Sequence, residues 1–350
     1  MVSSLYNATM LLSLNDSAPI TSNSSVNHTA RFDPYYDTFL ILLALLIIAI
    51  NGLVICLFMW KPFLKEITNY FLVSLAVSDG LTGLLVIPIY FSCSLSGYRV
   101  QVCFSFDMIH RMTAFSTVYH LLLITCDRYV AITRPFRHSS TFTARVAYIS
   151  IVCVWSVSMF LPLVQLTWYD TSNLRLANSR IRQYELRYNI TCAVVAFLLP
   201  VTIMIIAYAE MLRIVVRHAR AIEATSRERQ ALSKEKRAMA IFATMLFAYV
   251  FCWFSFFFMS LASDLPGVLR VPEVVASILF FFRFCTSIIN PIIYIFCKTD
   301  FKRALREVIV QYQCRAIVSG FLLQNYSVSN NEDDDSSPRG TQRTHTSRAR

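Results

Sequence analysis

The sequence predicts an all-α membrane protein: a seven-transmembrane helix bundle followed by a short amphipathic juxtamembrane helix. Three observations carry this prediction: the composition, seven long apolar stretches and the sidedness of the positive charge. Of 350 residues, 56% are apolar and 15% charged, and the mean hydropathy is +0.52. Soluble domains carry about 25% charged residues, so this chain has too little charge to cover a water-facing surface. About 20 helical residues cross the hydrocarbon core, so apolar runs of that length read as spans. The runs are continuous, without the in–out alternation of a β-barrel strand, which favours helices.

Residues 1–37 read as a glycosylated extracellular tail. The first 36 residues hold no lysine and carry N-x-S/T tripeptides at Asn7, Asn15, Asn23 and Asn27. The apolar stretches follow near 38–60, 69–92, 103–126, 146–168, 190–213, 238–262 and 273–297, which places the transmembrane domain at 38–298. No basic-then-apolar signal peptide precedes the first span, so that span is expected to act as an uncleaved signal anchor. The third is the weakest, interrupted by Asp107, His110, Arg111 and His120. With the N-terminus outside, the cytoplasmic segments hold 23 Lys and Arg against seven outside. This positive-inside asymmetry fixes the orientation, with multi-pass insertion in the plasma membrane. The same distribution argues against nucleic acid as the partner of a chain with net charge +11.

The loop around 214–237 is rich in charge and helix formers and is expected to extend spans 5 and 6 as helix. In 299–314, Phe301, Ala304, Leu305, Val308 and Ile309 recur at i, i+3, i+4, i+7 and i+8 among Lys302, Arg303 and Arg306. That is a basic amphipathic helix on the membrane surface, in contact with lipid. Cys314 is a palmitoylation candidate. Residues 315–350 lack an apolar pattern and read as a disordered cytoplasmic tail.

Ionisable groups inside spans are costly, so each marks a functional hypothesis. Asp79 lies mid-span in "LAVSDGLTG", and Thr117, Ser287 and Asn290 could complete an oxygen-rich pocket for a hard cation or a few waters. A purely structural hydrogen-bonded network would satisfy it equally. Asp127–Arg128–Tyr129 closes span 3.

The chain resembles a class A (rhodopsin-like) G-protein-coupled receptor. The resemblance rests on Asn51 in "NGLV", Asp79 in "LAVSD", Cys103 opening span 3, Asp127–Arg128–Tyr129 closing it, and Trp155. It also rests on Pro200 and Tyr208, on Cys252–Trp253, and on Asn290–Pro291–Ile292–Ile293–Tyr294. It covers about 38–314, and its motif texture is closest to amine-type receptors. It implies a receptor, not an enzyme. Such a receptor binds an extracellular small ligand within the bundle and activates a heterotrimeric G protein, with arrestin and a receptor kinase acting on the Ser/Thr-containing tail. It implies that Arg128 pairs with Asp127 and with Glu235 of span 6 at rest, and that Tyr208 and Tyr294 swing toward freed Arg128 on activation. No cofactor is implied beyond an allosteric sodium ion at Asp79, Thr117, Ser287 and Asn290, with no other metal. Trp253 would be the rotamer-sensitive residue beneath the ligand.

Several positions depart from the pattern. The amine-binding aspartate of span 3 is His110 here, with Asp107 one turn outward and Arg111 beside it. Asp107 and Arg111 can pair along the helix at i, i+4. Arg283, with His110 and Arg111, makes a cationic pocket for a carboxylate or phosphate, or else closes an internal salt bridge to Asp107 or Asp79. Trp253, Phe256, Phe257 and Phe280 are expected to line the same pocket. Ser255 replaces the usual proline of span 6 and Tyr249 the usual phenylalanine. Phe284 stands where an opsin has lysine, which excludes a retinal Schiff base. In the family Cys103 pairs with a cysteine of the long outer loop, but residues 169–189 have none. Cys192 and Cys93 are the possible partners, with Cys192 favoured, and an unpaired Cys103 also open. A transporter or proton-moving protein is the alternative function; it calls for repeat symmetry or paired broken helices, and the sequence displays neither. A metal-dependent hydrolase would need clustered ligands, and His110 and His120 stand ten residues apart along one helix.

Overall fold

Seven long helices carry the seven apolar stretches in order. The computed structural model describes residues 34–96, 99–168, 179–221, 226–264 and 272–313. Helix α1 is Pro34–Trp60, α2 is Ile67–Leu95 with a π turn at Thr82–Val86, and α3 is Val100–Thr133. Helix α4 is Ala144–Leu163, and α5 runs from Ser179–Cys192 through a π turn, Ala193–Leu198, into Leu199–Ala221. Helices α6 and α7 are Ser226–Asp264 and Glu273–Cys297, and α8 is Thr299–Gln313. A short helix, Pro135–Thr141, stands between α3 and α4. The chain divides into two units, Met1–Lys302 and Arg303–Arg350, and all seven long helices belong to the first. Asn7, Asn15, Asn23, Asn27, Cys314 and the tail 315–350 lie outside the described residues, as do the side chains of Glu235, Phe256 and Phe280.

Helices α1, α2, α4, α5 and α6 are each long and apolar enough to cross a membrane on composition alone. Helix α3 is not, because His110, Arg111 and His120 dilute its apolar run. It can still span, because all three turn inward and are buried. His120 is accounted for structurally. Its Nδ1 lies 2.8 Å from the Ser116 carbonyl, a pure acceptor, so Nδ1 carries the proton. Nε2 then accepts from the Ser74 hydroxyl at 2.7 Å, and Ser74 Oγ accepts from Trp155 Nε1 at 3.0 Å. The relay ties α3, α2 and α4 together with each polar atom satisfied. At Gly83 a Cβ would stand 2.8 Å from the Ala44 carbonyl, so only glycine lets α1 and α2 approach this closely. Both α5 and α6 continue past their apolar segments, to Ala221 and from Ser226, as expected. Without a proline, α6 runs 39 residues as one helix through Ser255.

The disulfide corrects the favoured pairing: Cys103 bonds Cys93, not Cys192, with Cα atoms 4.9 Å apart. The reason is depth. Cys103 is in the first turn of α3, beside the end of α2. Cys192 is a buried free thiol packed with Phe115 and Tyr188. Phe115 is twelve residues beyond Cys103, about 18 Å along a helix. Peptide mapping without reduction is expected to recover Cys93 and Cys103 linked and Cys192 as a free thiol. A linked Cys103–Cys192 peptide would overturn the assignment. The short loop, with a sequence separation of 10, makes the bond worth about 2–3 kcal/mol on a chain-entropy model.

Candidate functional site

The Arg128 end is built on a buried carboxylate. Asp127 is 0% exposed. Its Oδ2 accepts from Thr68 Oγ1 at 2.6 Å and from Arg128 Nε and Nη2 at 3.0 and 2.7 Å. Its Oδ1 accepts from His138 Nε2 at 2.8 Å. Arg128 Nη2 also donates to Thr68 Oγ1. Arg128 is thus drawn back onto α2 and its own helix, forming the expected pair with Asp127; a buried carboxylate needs such donors. The Tyr208 hydroxyl stands 3.3 Å from Thr125 Oγ1, and the Tyr129 hydroxyl donates to Glu210 Oε2 at 2.8 Å. Both contacts fasten α5 to α3 over a core of Met211, Val215 and Met239. Tyr294 is fully buried, with its ring 5.5 Å from Phe301. After α7, Lys298 donates to Asn69 Oδ1 of α2. Burial lowers its ammonium from the ordinary lysine range, against the pull of Asp300 and Glu66.

Midway along the bundle, Asp79 accepts from Ser287 Oγ at 3.1 Å and Asn290 Nδ2 at 3.0 Å. Ser287 Oγ lies 3.2 Å from Thr82 Oγ1. Thr117 borders the carboxylate while donating to the Thr113 carbonyl at 3.0 Å. Asn51 Nδ2 donates to the carbonyls of Ile47 and Ser287, both at 2.9 Å, joining α1 to α7. The four predicted residues therefore converge. Two acceptor oxygens there, Asn51 Oδ1 and Asn290 Oδ1, are buried with no donor among the described residues. An oxygen-rich, acceptor-heavy site around a buried acid fits a hard monovalent cation.

Toward the N-terminal end of α3, Arg111 Nε donates to Asp107 Oδ2 at 2.6 Å, closing the expected i, i+4 pair. The Arg111 guanidinium sits 5.4 Å from the Tyr188 ring centroid, a cation–π contact that holds it against α5. His110 is 1% exposed and packs between Trp253 at 5.2 Å, Phe106 at 5.7 Å and Phe284 at 5.9 Å. Both Arg283 and Arg111 act on His110 electrostatically. Three helices thus bring His110 against Trp253 and within electrostatic reach of Arg283, and the Phe257 ring lies 4.8 Å from that of Phe197, tilted by 40°. Phe254, by contrast, faces out. With Phe247, Phe251 and Phe282 it lines an apolar cleft of about 310 Å³ between α6 and α7.

Sequence reasoning missed Thr68, His138, Glu210, Tyr188 and the Trp168–Glu185 bond, in which Trp168 Nε1 donates at 2.7 Å. Helical spacing relates residues within one helix. It says nothing of His138, which reaches Asp127 only because the chain reverses at Arg134–Pro135. Tyr188 and Cys192 lie one turn apart on α5, and spacing within α5 says nothing of Arg111 on α3.

Comparison with known proteins agrees with this geometry. The family model "7 transmembrane receptor (rhodopsin family)" matches residues 50–294. The histamine H2 receptor of Cavia porcellus is 32% identical over 281 residues, covering 77% of this chain and 78% of that protein. The octopamine receptor beta-2R of Chilo suppressalis is 28% identical, covering 78% and 80%. The D(1C) dopamine receptor of Xenopus laevis is 28% identical, covering 77% and 67%. A match across most of the bundle, together with the converging Asp79 and Arg128 clusters, means that the chain belongs to the rhodopsin family of seven-transmembrane receptors.

Proposed function

We propose that this G-protein-coupled receptor, inserted in the plasma membrane with its N-terminus outside, responds to a small anionic ligand bound at His110, Arg111 and Arg283. One observation carries the reading: Asp107 is already bound by Arg111 at 2.6 Å, while Arg283 and Arg111 both place positive charge within electrostatic reach of His110. The local field is positive where an amine receptor would present a free carboxylate. A carboxylate or phosphate would meet planar charged donors suited to it. A second reading, an amine ligand, draws on the histamine, octopamine and dopamine receptors among the relatives. It requires Arg111 to leave Asp107, which exposes a paired acid at considerable cost.

In this orientation Arg128 and the 135–141 helix face the cytoplasm. Ligand binding shifts the resting–active equilibrium by differential affinity for the two states. Arg128 leaves Asp127 and meets the G protein, with Glu235 as its further resting partner and with Tyr208 and Tyr294 closing toward it. Asp79, Thr117, Ser287 and Asn290 would hold a sodium ion that supplies positive charge to the buried acid. Arrestin and a receptor kinase would act on the tail. Screening anionic, cationic and neutral pools for G-protein recruitment tests the ligand class. Activity in the anionic pools is expected; activity confined to cationic pools would overturn the anionic reading.

A further inference from the structure

The release of Arg128 raises a problem of charge. Asp127 is fully buried, and once Arg128 departs its carboxylate keeps only Thr68 and His138 as donors. A buried acid left with neutral donors alone is strongly disfavoured. His138 is placed to answer this. The Arg134–Pro135 break ends α3, and proline at the first position starts the 135–141 helix. The chain turns back so that His138, eleven residues after Asp127, donates to Oδ1 at 2.8 Å. Among the described residues, Oδ1 has no other donor. The imidazole stacks on Phe142 at 5.6 Å and 28°. The Phe142 ring meets Phe71 of α2 edge-on at 6.4 Å, one turn from Thr68. The imidazole is thereby fixed in orientation, yet its side chain is 25% exposed and open to protons from solvent.

We propose that His138 is a positioning residue of the Arg128 switch, taking up a cytoplasmic proton when Arg128 leaves and so replacing the charge that Asp127 loses. The inference rests on the Arg128 release proposed above. At rest, Arg128 already neutralises Asp127 and repels a second cation nearby. In the active state that cation is gone, and an imidazolium is welcomed by the acid. The proton therefore binds the active state more tightly, and acidification favours activity. Imidazole ordinarily titrates between pH 5 and 8. The other charged and titratable groups around the cluster are Arg128 and Cys126 of α3, Glu66 before α2, Lys298 after α7, Arg134 just before the short helix and Arg137 within it. The arginines carry fixed charge, and among the described residues His138 alone both donates to Oδ1 and opens to solvent.

The test is ligand-independent nucleotide exchange on a panel of heterotrimeric G proteins. Purified full-length receptor in lipid nanodiscs is assayed at pH 7.5 and 6.5, each value divided by that of G protein alone. The wild type is expected to rise about three- to tenfold at pH 6.5, tenfold being the limit for one proton per pH unit. His138→Gln keeps an N–H donor but cannot titrate, and is expected to lose the rise. His138→Lys, charged throughout, is expected to hold the higher value at both pH values. If His138→Gln keeps the full wild-type rise, Asp127 itself takes the proton and the role of His138 is overturned. If the wild type is active but flat with pH, proton uptake is overturned while the release of Arg128 stands. If it drives no exchange on any heterotrimer at either pH, the release itself fails.

Discussion

Replacing Asp127 by asparagine is expected to raise basal nucleotide exchange by about an order of magnitude. The carboxylate accepts four hydrogen bonds, from Thr68, twice from Arg128 and from His138. Hydrogen bonds to charged groups are worth about 1.5–3 kcal/mol each, so losing part of this set changes an equilibrium at least tenfold. The amide is neutral and can still accept from Thr68, so folding is expected to survive while the hold on Arg128 does not. Guanine-nucleotide binding in membranes, normalised to surface receptor, measures the effect. A well-expressed Asp127→Asn receptor with wild-type basal exchange would show that this carboxylate is not the resting latch.

The Arg283→Gln change is expected to shift the half-maximal concentration of an anionic agonist upward by roughly 10- to 100-fold, the value of one charge-assisted hydrogen bond. Glutamine keeps a donor of similar reach, so the loss isolates charge. His110→Ala is expected to weaken the same agonist less, because its ring is packed among Trp253, Phe106 and Phe284 and acts mainly by shape. An unaltered concentration–response curve in Arg283→Gln, at equal expression, would move the ligand's charge to another site.

The bundle was legible because each helix announces itself locally. Apolar length marked all seven spans, the third most weakly because Asp107, His110, Arg111 and His120 interrupt it. The Asp79 cluster was legible for a similar reason: chemically matched residues, Asp79, Ser287 and Asn290, had no other reason to be polar in hydrocarbon. The Asp107–Arg111 pair followed from helical spacing alone. What stayed hidden depends on how the chain turns between helices. Cys93 near the end of α2 and Cys103 in the first turn of α3 are joined, a pairing that no periodicity encodes. His138 meets Asp127 across the proline break after α3 for the same reason. Trp168 and Glu185 meet although they stand 17 positions apart in the chain. His120 looked like a functional intramembrane group, yet the two hydroxyl and carbonyl partners on its ring make it a structural tie.

The most direct test is agonist-stimulated nucleotide exchange with purified components: receptor in nanodiscs, one heterotrimeric G protein, and the active member of the anionic pools. The wild type should accelerate exchange with agonist, and Arg128→Ala should bind the same agonist yet fail to accelerate it. Full acceleration by Arg128→Ala would contradict the role given to Arg128, and with it the link from the ligand cluster to the G protein.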